Sequence, residues 1–326
     1  ALTETWNGTA WTEQADLSSV RNTLGGAGAG AGLNQTGTIA IGKLALTALT
    51  SGAGNTAIGY NSQAALEGGS GNVSLGYNSL DAVVGGSHNV AIGYDALTTC
   101  AGNASHNTGV GRDALKTHNV DGDGNNTAIG SEAGTAVTDG VKNCLMGAGA
   151  GKAMTTGHEN VILGYQAGDA TQNTGYSVII GSEACQANMT ADTDGTIAIG
   201  KSSLAALTTG GENIAIGYLA MDAMQEGHNN IALGHHALGS ANNSGSDRNI
   251  AIGNYALDAT STNVTTDNIA IGYAALGAST TADHNTAVGT HAAAGGTLTG
   301  GDNVIVGSNA GYNMAGAERN TIVGRS

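Results

Sequence analysis

One phrase governs this chain: Asn, a β-branched residue, a small residue, an aliphatic residue and then Gly, recurring seventeen times between Gly42 and Gly324. Counted from glycine to glycine, ten intervals are 17 residues, two are 18 and four are 19. Helical repeats need roughly 33 residues or more, so a period this short fits one coil of a β-solenoid per copy. A single coil buries too little to fold alone, and neighbours must stack. The expected fold is all-β: a β-solenoid, or parallel β-roll, of about 17 coils with 17–19 residues per coil, spanning 34–326. At ~4.8 Å per coil such a stack runs roughly 80 Å.

Composition narrows the interior. The 326 residues include 55 Gly but no Phe and no Pro, and aromatics make up 3%, so large side chains cannot fill a three-dimensional core. A thin interior of Ile, Val, Leu and Ala is expected. Ten basic residues against 25 acidic ones give a net charge of −15, which argues against nucleic acid or an anionic membrane surface as partner. No run of about 18 apolar residues is present to insert into a bilayer. Cys144 in the β-branched slot and Cys185 in the slot four residues past its glycine read as small core residues, Cys100 as a turn residue. Cys144 and Cys185 lie two coils apart, too far for a disulfide, and free thiols are expected.

Within the coil each slot has a reading. Asn stands four residues before the glycine in fourteen copies, among them Asn55, Asn72 and Asn89, with Thr38, Ser177 and Thr196 as the exceptions. Stacked at one corner, these side chains can bond their own turn and the equivalent residue in the next coil. The β-branched residue and the aliphatic one before the glycine, such as Ile58 and Ile92, share one strand face, taken as the core face. The residue between them, Ala in ten copies, then points away, toward a second layer or a neighbouring chain. Gly59, Gly76, Gly93 and their equivalents supply positive φ or close backbone approach. Ala or Ser follows three residues later, then Leu in eight copies or Gly in four, an opposite apolar wall made of a strand or a single helical turn. The 19-residue coils, ending at Gly130, Gly200, Gly253 and Gly272, lengthen one edge, where binding loops commonly sit.

Candidate chemistry is sparse. Tyr60, Tyr77 and Tyr94 follow the glycine of consecutive coils, and Tyr165, Tyr218 and Tyr273 recur there. Stacked rings form either a sugar platform or, the preferred reading, a packing ladder or subunit contact. Asp121-Gly-Asp123 and Asp192-Thr-Asp194 resemble fragments of calcium loops, yet neither continues to a distal Glu, and turn residues without an ion are preferred. His88, His106 and His284 recur just before the Asn slot, His235 and His236 are adjacent, and Glu132 and Glu183 stand singly at an outward slot. No carboxylate pair and no nucleophile with its base is visible, so neither enzyme activity nor a cofactor is expected. An ice-binding face needs a regular outward Thr row, whereas Thr56, Thr108 and Thr127 fall in the slot expected to face inward.

Residues 1–33 stand apart from the repeat. Their Thr-Glu-Thr-Trp6-Asn-Gly-Thr-Ala-Trp11-Thr-Glu resembles a strand pair of the kelch-like repeats in marine phage structural proteins, and the Gly-Ala run at 26–32 resembles a linker. The repeat itself, as Asn-Thr-Ala-Ile-Gly-Tyr-Asn-Ser at 55–62 and Asn-Val-Ala-Ile-Gly-Tyr-Asp-Ala at 89–96, resembles two related families. One is the head of trimeric autotransporter adhesins, a left-handed parallel β-roll. The other is the bacteriophage tail fibre, in which such repeats often precede an endosialidase-type intramolecular chaperone that cleaves itself off after a serine. The ending Gly324-Arg325-Ser326 is similar to what that cleavage leaves. The resemblance covers about nine-tenths of the chain, and coils longer than the adhesin repeat favour the phage family. It implies a non-enzymatic fibre or adhesin of the virion or cell exterior, a homotrimer that meets a host glycan or protein, with residues 1–33 docking on other virion proteins. The alternative is a structural filament or capsid decoration protein with no ligand.

Overall fold

A computed structural model describes residues 37–100, 102–240, 245–258, 265–279 and 283–325, and the backbone of 3–6, 11–14 and 23–25. The chain divides into two compact units, 1–126 and 127–326. In the first, β1 (Thr3–Trp6) pairs antiparallel with β2 (Trp11–Gln14), Trp6 opposite Trp11. The Gly-Ala run at 26–32 lies outside the described residues. A third strand, β3 (Thr23–Gly25), pairs parallel with β4 (Ile39–Ile41), so the strand ladder begins before position 34. Its sequence signal is Asn22-Thr23-Leu24-Gly25-Gly26, a degenerate copy of the repeat. β5 (Thr56–Ile58), β6 (Val73–Leu75), β7 (Val90–Ile92) and β8 (Thr108–Val110) continue the ladder, each in register with its predecessor. The second unit stacks twelve such strands, from β9 (Thr127–Ile129) to β20 (Thr321–Val323), all parallel. Both units are β-solenoids, as the repeat predicts.

The strand faces are the reverse of the expectation. The middle residue points inward and is fully buried, as at Ala40, Ala57, Ala91, Ala198 and Ala251, while its flanking β-branched and aliphatic neighbours stand outside. A three-residue strand offers one inward position and two outward ones, and the opposite wall decides how large the inward one is. That wall is neither strand nor helix. It is a run of turns in which the residues two and four past the glycine both adopt positive φ, such as Asn78 at 50° and Leu80 at 55°. The alternation sends backbone N–H groups to the coils on either side: Asn78 N donates to Tyr60 O at 2.9 Å, and Leu80 N to Ala96 O at 3.0 Å. Left-handed backbone at non-glycine residues costs roughly 1–2 kcal/mol each, and these inter-coil bonds offset it. At the repeat glycine itself the constraint is steric as well. Gly164 has φ 139°, and a Cβ there would sit 2.5 Å from the carbonyl oxygen of Gly181 in the next coil.

The core is a reciprocal packing of two slots. In most coils where the strand centre is Ala or Gly, the turn supplies a large side chain: Ala40 with Leu46, Ala91 with Leu97, Gly109 with Leu115, Ala198 with Leu204, Ala215 with Met221; the coils of Ala128 with Gly134 and Ala287 with Ala293 are small on both walls. Where the strand centre is Leu or Ile, the turn shrinks: Leu145 with Gly151, Ile162 with Gly168, Ile305 with Gly311. A Cβ on Gly151 would lie 3.1 Å from Leu145 Cδ2, and one on Gly168 3.3 Å from Ile162 Cδ1. Close packing leaves room for one bulky group between these two slots, on either wall.

Candidate functional site

Two features could meet a partner: the outward strand face and the column of side chains just past the glycine. The strand face carries two aliphatic rows in each unit. Ile41 is 41% exposed, Leu75 48%, Met146 44% and Val304 42%. In the second unit twelve coils at ~4.8 Å make this strip about 55 Å long, and two columns wide its area is on the order of 500 Å². A patch of that size is at the upper end of what a typical monomer exposes and is often functional. Ile58 and Ile92, read from the sequence as core, belong to this outer face. Cys144 lies on it too, half-exposed rather than in the core, whereas Cys100 and Cys185 are buried and all three are free thiols. Burial pushes the Cys100 thiol up to about 12 and the Cys185 thiol upward in the same sense. Thr56, Thr108 and Thr127 also face outward, contrary to the inward slot expected for them. The row they occupy is irregular, because Ile, Val and Cys fill most of it.

The Asn corner forms bonded ladders inside each unit. Asn55 Oδ1 accepts the backbone N–H of Asn72 at 2.9 Å and its Nδ2 at 3.2 Å, and Asn72 Oδ1 in turn accepts the backbone N–H of Asn89 at 2.9 Å and its Nδ2 at 3.1 Å. Each amide also donates within its own stack, Asn72 Nδ2 to Gly86 O at 2.9 Å. These groups are fully buried and satisfied, so they hold the fold and leave nothing for a ligand. At Ser177 and Thr196 the ladder gives way to a hydroxyl network in which Thr193 Oγ1 donates to Thr174 Oγ1 at 3.1 Å and Thr196 Oγ1 to Thr193 O at 2.7 Å.

The acidic loops are used by the fold. Asp121 Oδ1 accepts Asn103 Nδ2 at 2.9 Å, Asp123 Oδ1 lies 2.9 Å from His106 Nδ1, and Asp194 Oδ1 accepts Gly175 N at 2.6 Å. Asp192 sits in a short 3₁₀ turn, Ala191–Thr193. Each bond runs to the preceding coil, so the loops are tied sideways instead of converging. Among the described residues no three His, Cys, Asp or Glu side chains gather to hold a metal. The position before the Asn slot, which holds His88, His106 and His284, is a corner of charged and polar side chains at positive φ. His88 and His106 stack at 5.1 Å, and in the second unit Lys142 pairs with Glu159 at 3.0 Å and Arg248 with Asp267 at 2.7 Å. The Arg248 guanidinium holds the Asp267 carboxyl below its ordinary range.

The column past the glycine differs between the units. In the first it reads Lys43, Tyr60, Tyr77, Tyr94, Arg112. The three rings stack at 5.1 and 5.2 Å, nearly parallel, and Lys43 Nζ stands 5.8 Å from the Tyr60 centroid. Ring faces are therefore occupied by other rings, and edges and hydroxyls meet water. In the second unit the same column opens Ser131, Ala148, Tyr165, Ser182. A cleft of about 190 Å³ opens there, lined by Ser131, Glu132, Ala148, Gly149, Lys152, Tyr165 and Gln166. Glu132 and Glu183 are not single: Lys152 Nζ is 2.6 Å from Glu132 Oε2 and Lys201 Nζ 3.9 Å from Glu183 Oε2. Further on, Tyr218, His235, His236, Tyr255, Tyr273 and His291 form a mixed run of stacked and edge-on rings.

Fold and ladders together define a β-solenoid repeat protein. No family model, no curated protein and no solved structure matches this chain. No helix among the described residues is long and apolar enough to cross a membrane.

Proposed function

We propose that this chain is a non-enzymatic fibre or adhesin protein of a virion or cell exterior, working as a homotrimer whose apolar strand faces cover one another. The observation that carries the reading is the outward aliphatic strip. A protein with a charge of −15 keeps two rows made mostly of Ile, Val and Leu on the outside of its coils. Burying them against further copies of the same strip removes that surface from water at roughly 25 cal/mol per Å². Register also favours identical partners, since every strip repeats at the same inter-coil spacing. The resemblance of Asn-Thr-Ala-Ile-Gly-Tyr-Asn-Ser to adhesin and tail-fibre repeats supports three copies and host attachment. In that arrangement the corner columns and the loops of the longer coils face outward toward a host glycan or protein, and residues 1–33 toward other virion proteins.

Native mass measurement tests it. A particle of about three times the 31.8 kDa chain mass is expected. Ile216→Lys with Ile271→Lys, both outward in the second unit, should release monomers that keep the wild-type circular dichroism. Cys144 supplies a second readout, because a maleimide should label it in the released monomer and label it far more slowly in the assembly. A wild-type chain that runs as a monomer, with Cys144 freely labelled, overturns the reading.

A further inference from the structure

We propose that the cleft around Tyr165 binds a single neutral pyranose ring. This deepens the attachment half of the function proposed above by giving it a site, but it does not depend on self-association. The argument starts from the vacancy in the column. The slots just past the glycine in neighbouring coils hold Ala148 and Ser182, too short to cover a ring, so Tyr165 lacks the ring partners that Tyr60, Tyr77 and Tyr94 give one another. Tyr165 is 56% exposed. Gly149, next to Ala148, removes one more side chain, and the two together leave one rung of the column empty between Ser131 and Tyr165. A flat ring placed in that rung would lie about one coil spacing, ~4.8 Å, from Tyr165, within the range of ring stacking distances.

The rim sets the chemistry. Glu132 and Lys152, joined at 2.6 Å, place a carboxylate acceptor and an ammonium donor on one side, with the Gln166 amide on another. An apolar platform bordered by paired donors and acceptors matches a sugar, which presents C–H groups on its face and hydroxyls at its edge. The ion pair is net neutral and the chain is acidic, so an anionic sugar gains nothing that a neutral one lacks. At 190 Å³ the cleft is smaller than the roughly 300–1,000 Å³ of drug-sized sites, which fits one ring and not a chain of them.

Saturation-transfer NMR on the full chain with methyl glycosides of the common neutral hexoses provides the test. At least one should receive saturation on its ring C–H protons, with millimolar affinity. Ala148→Tyr refills the rung with the residue that other coils carry there, so it should fold normally and abolish transfer. Tyr165→Ala should abolish it as well, and Tyr77→Ala should leave it unchanged. No transfer to any neutral hexoside, or transfer that survives Ala148→Tyr, overturns the site while leaving self-association untouched. Equal loss on Tyr77→Ala would assign binding to exposed rings in general and would also overturn it.

Discussion

The first unit and the opening coils of the second build the same coil in opposite ways. In the first, bulk comes from the turn wall, with Leu46, Leu80, Leu97 and Leu115 buried against small strand centres, and the outer column is a closed stack of rings. In the second, Leu145 and Ile162 carry the bulk from the strand, Gly151 and Gly168 thin the turn, and the outer column is open around Tyr165. The backbone is the same in both. What differs is where side-chain volume is spent, and the comparison separates slots that maintain the coil from slots free to vary.

The largest effect should come from moving the bulk within one coil. Gly168 already has φ 56°, close to the 55° of Leu80, so Leu is conformationally admissible at that slot and only space forbids it. Gly168→Leu should destabilise the second unit by about 2–3 kcal/mol through overpacking against Ile162. Adding Ile162→Ala converts the coil to the pattern of the first unit and should restore most of the loss. Urea unfolding of both variants checks this. If the double variant is no more stable than the single one, the two slots do not share one volume and the reciprocity is accidental.

Most of this architecture is legible in the sequence, and the part that is not has a definite cause. The period, the Asn corner and the glycine all translate directly into coils, because each slot has one physical solution. The strand faces do not. Strict alternation says that Thr56 and Ile58 share a face, but with three residues it cannot say which face is inside, and the rule that larger apolar groups go inward points the wrong way. The deciding signal is the pairing of Leu145, Ile162 and Ile305 with Gly151, Gly168 and Gly311, all visible in the sequence as separate irregularities. Read coil by coil, those substitutions show two slots competing for one interior space. The Tyr165 cleft was equally hidden. It exists because Ala148 and Gly149 are small, and a missing side chain acquires meaning only once its neighbours' positions are known.

A smaller effect concerns acids at equivalent turn positions, Asp81 in the first unit and Asp169 in the second, each with one buried carboxylate oxygen lacking a hydrogen-bond partner. Desolvation raises the Asp81 pKa from 3.8 to about 6, opposed by its own backbone N–H and reinforced by the charge of Asp95. Asp169 is raised by desolvation as well, but backbone N–H groups and the Lys152 ammonium act against the rise. A raised folded-state pKa means that the unfolded chain ionises first, so stability falls as pH climbs from 3.8 to about 6 and the full penalty stands above that. Asp81→Asn should therefore leave stability at pH 3 nearly unchanged. At pH 7 it should add about 1 kcal/mol, allowing for the solvent that still reaches the group. Asp169→Asn should add less, since Lys152 already offsets part of the cost. Unfolding curves at the two pH values decide it, and an Asp81→Asn gain equal at both would show that ionisation is not its source.

The smallest effect tests the outer columns directly. Tyr77 sits between two parallel rings at 5.1 and 5.2 Å, so Tyr77→Ala breaks two stacking contacts and should cost about 1 kcal/mol of stability. Tyr165 has no stacked ring to lose, and Tyr165→Ala should change stability by no more than about 0.5 kcal/mol, the range of ordinary surface substitutions. Ala148→Tyr creates one new contact with Tyr165 and should stabilise by about 0.5 kcal/mol. Measured together, the three variants ask whether the column stabilises the coil wherever it is continuous. If Tyr165→Ala proves as costly as Tyr77→Ala, the ring is held by its own coil rather than by the column, and the open rung beside it is a packing feature of the second unit instead of a vacancy.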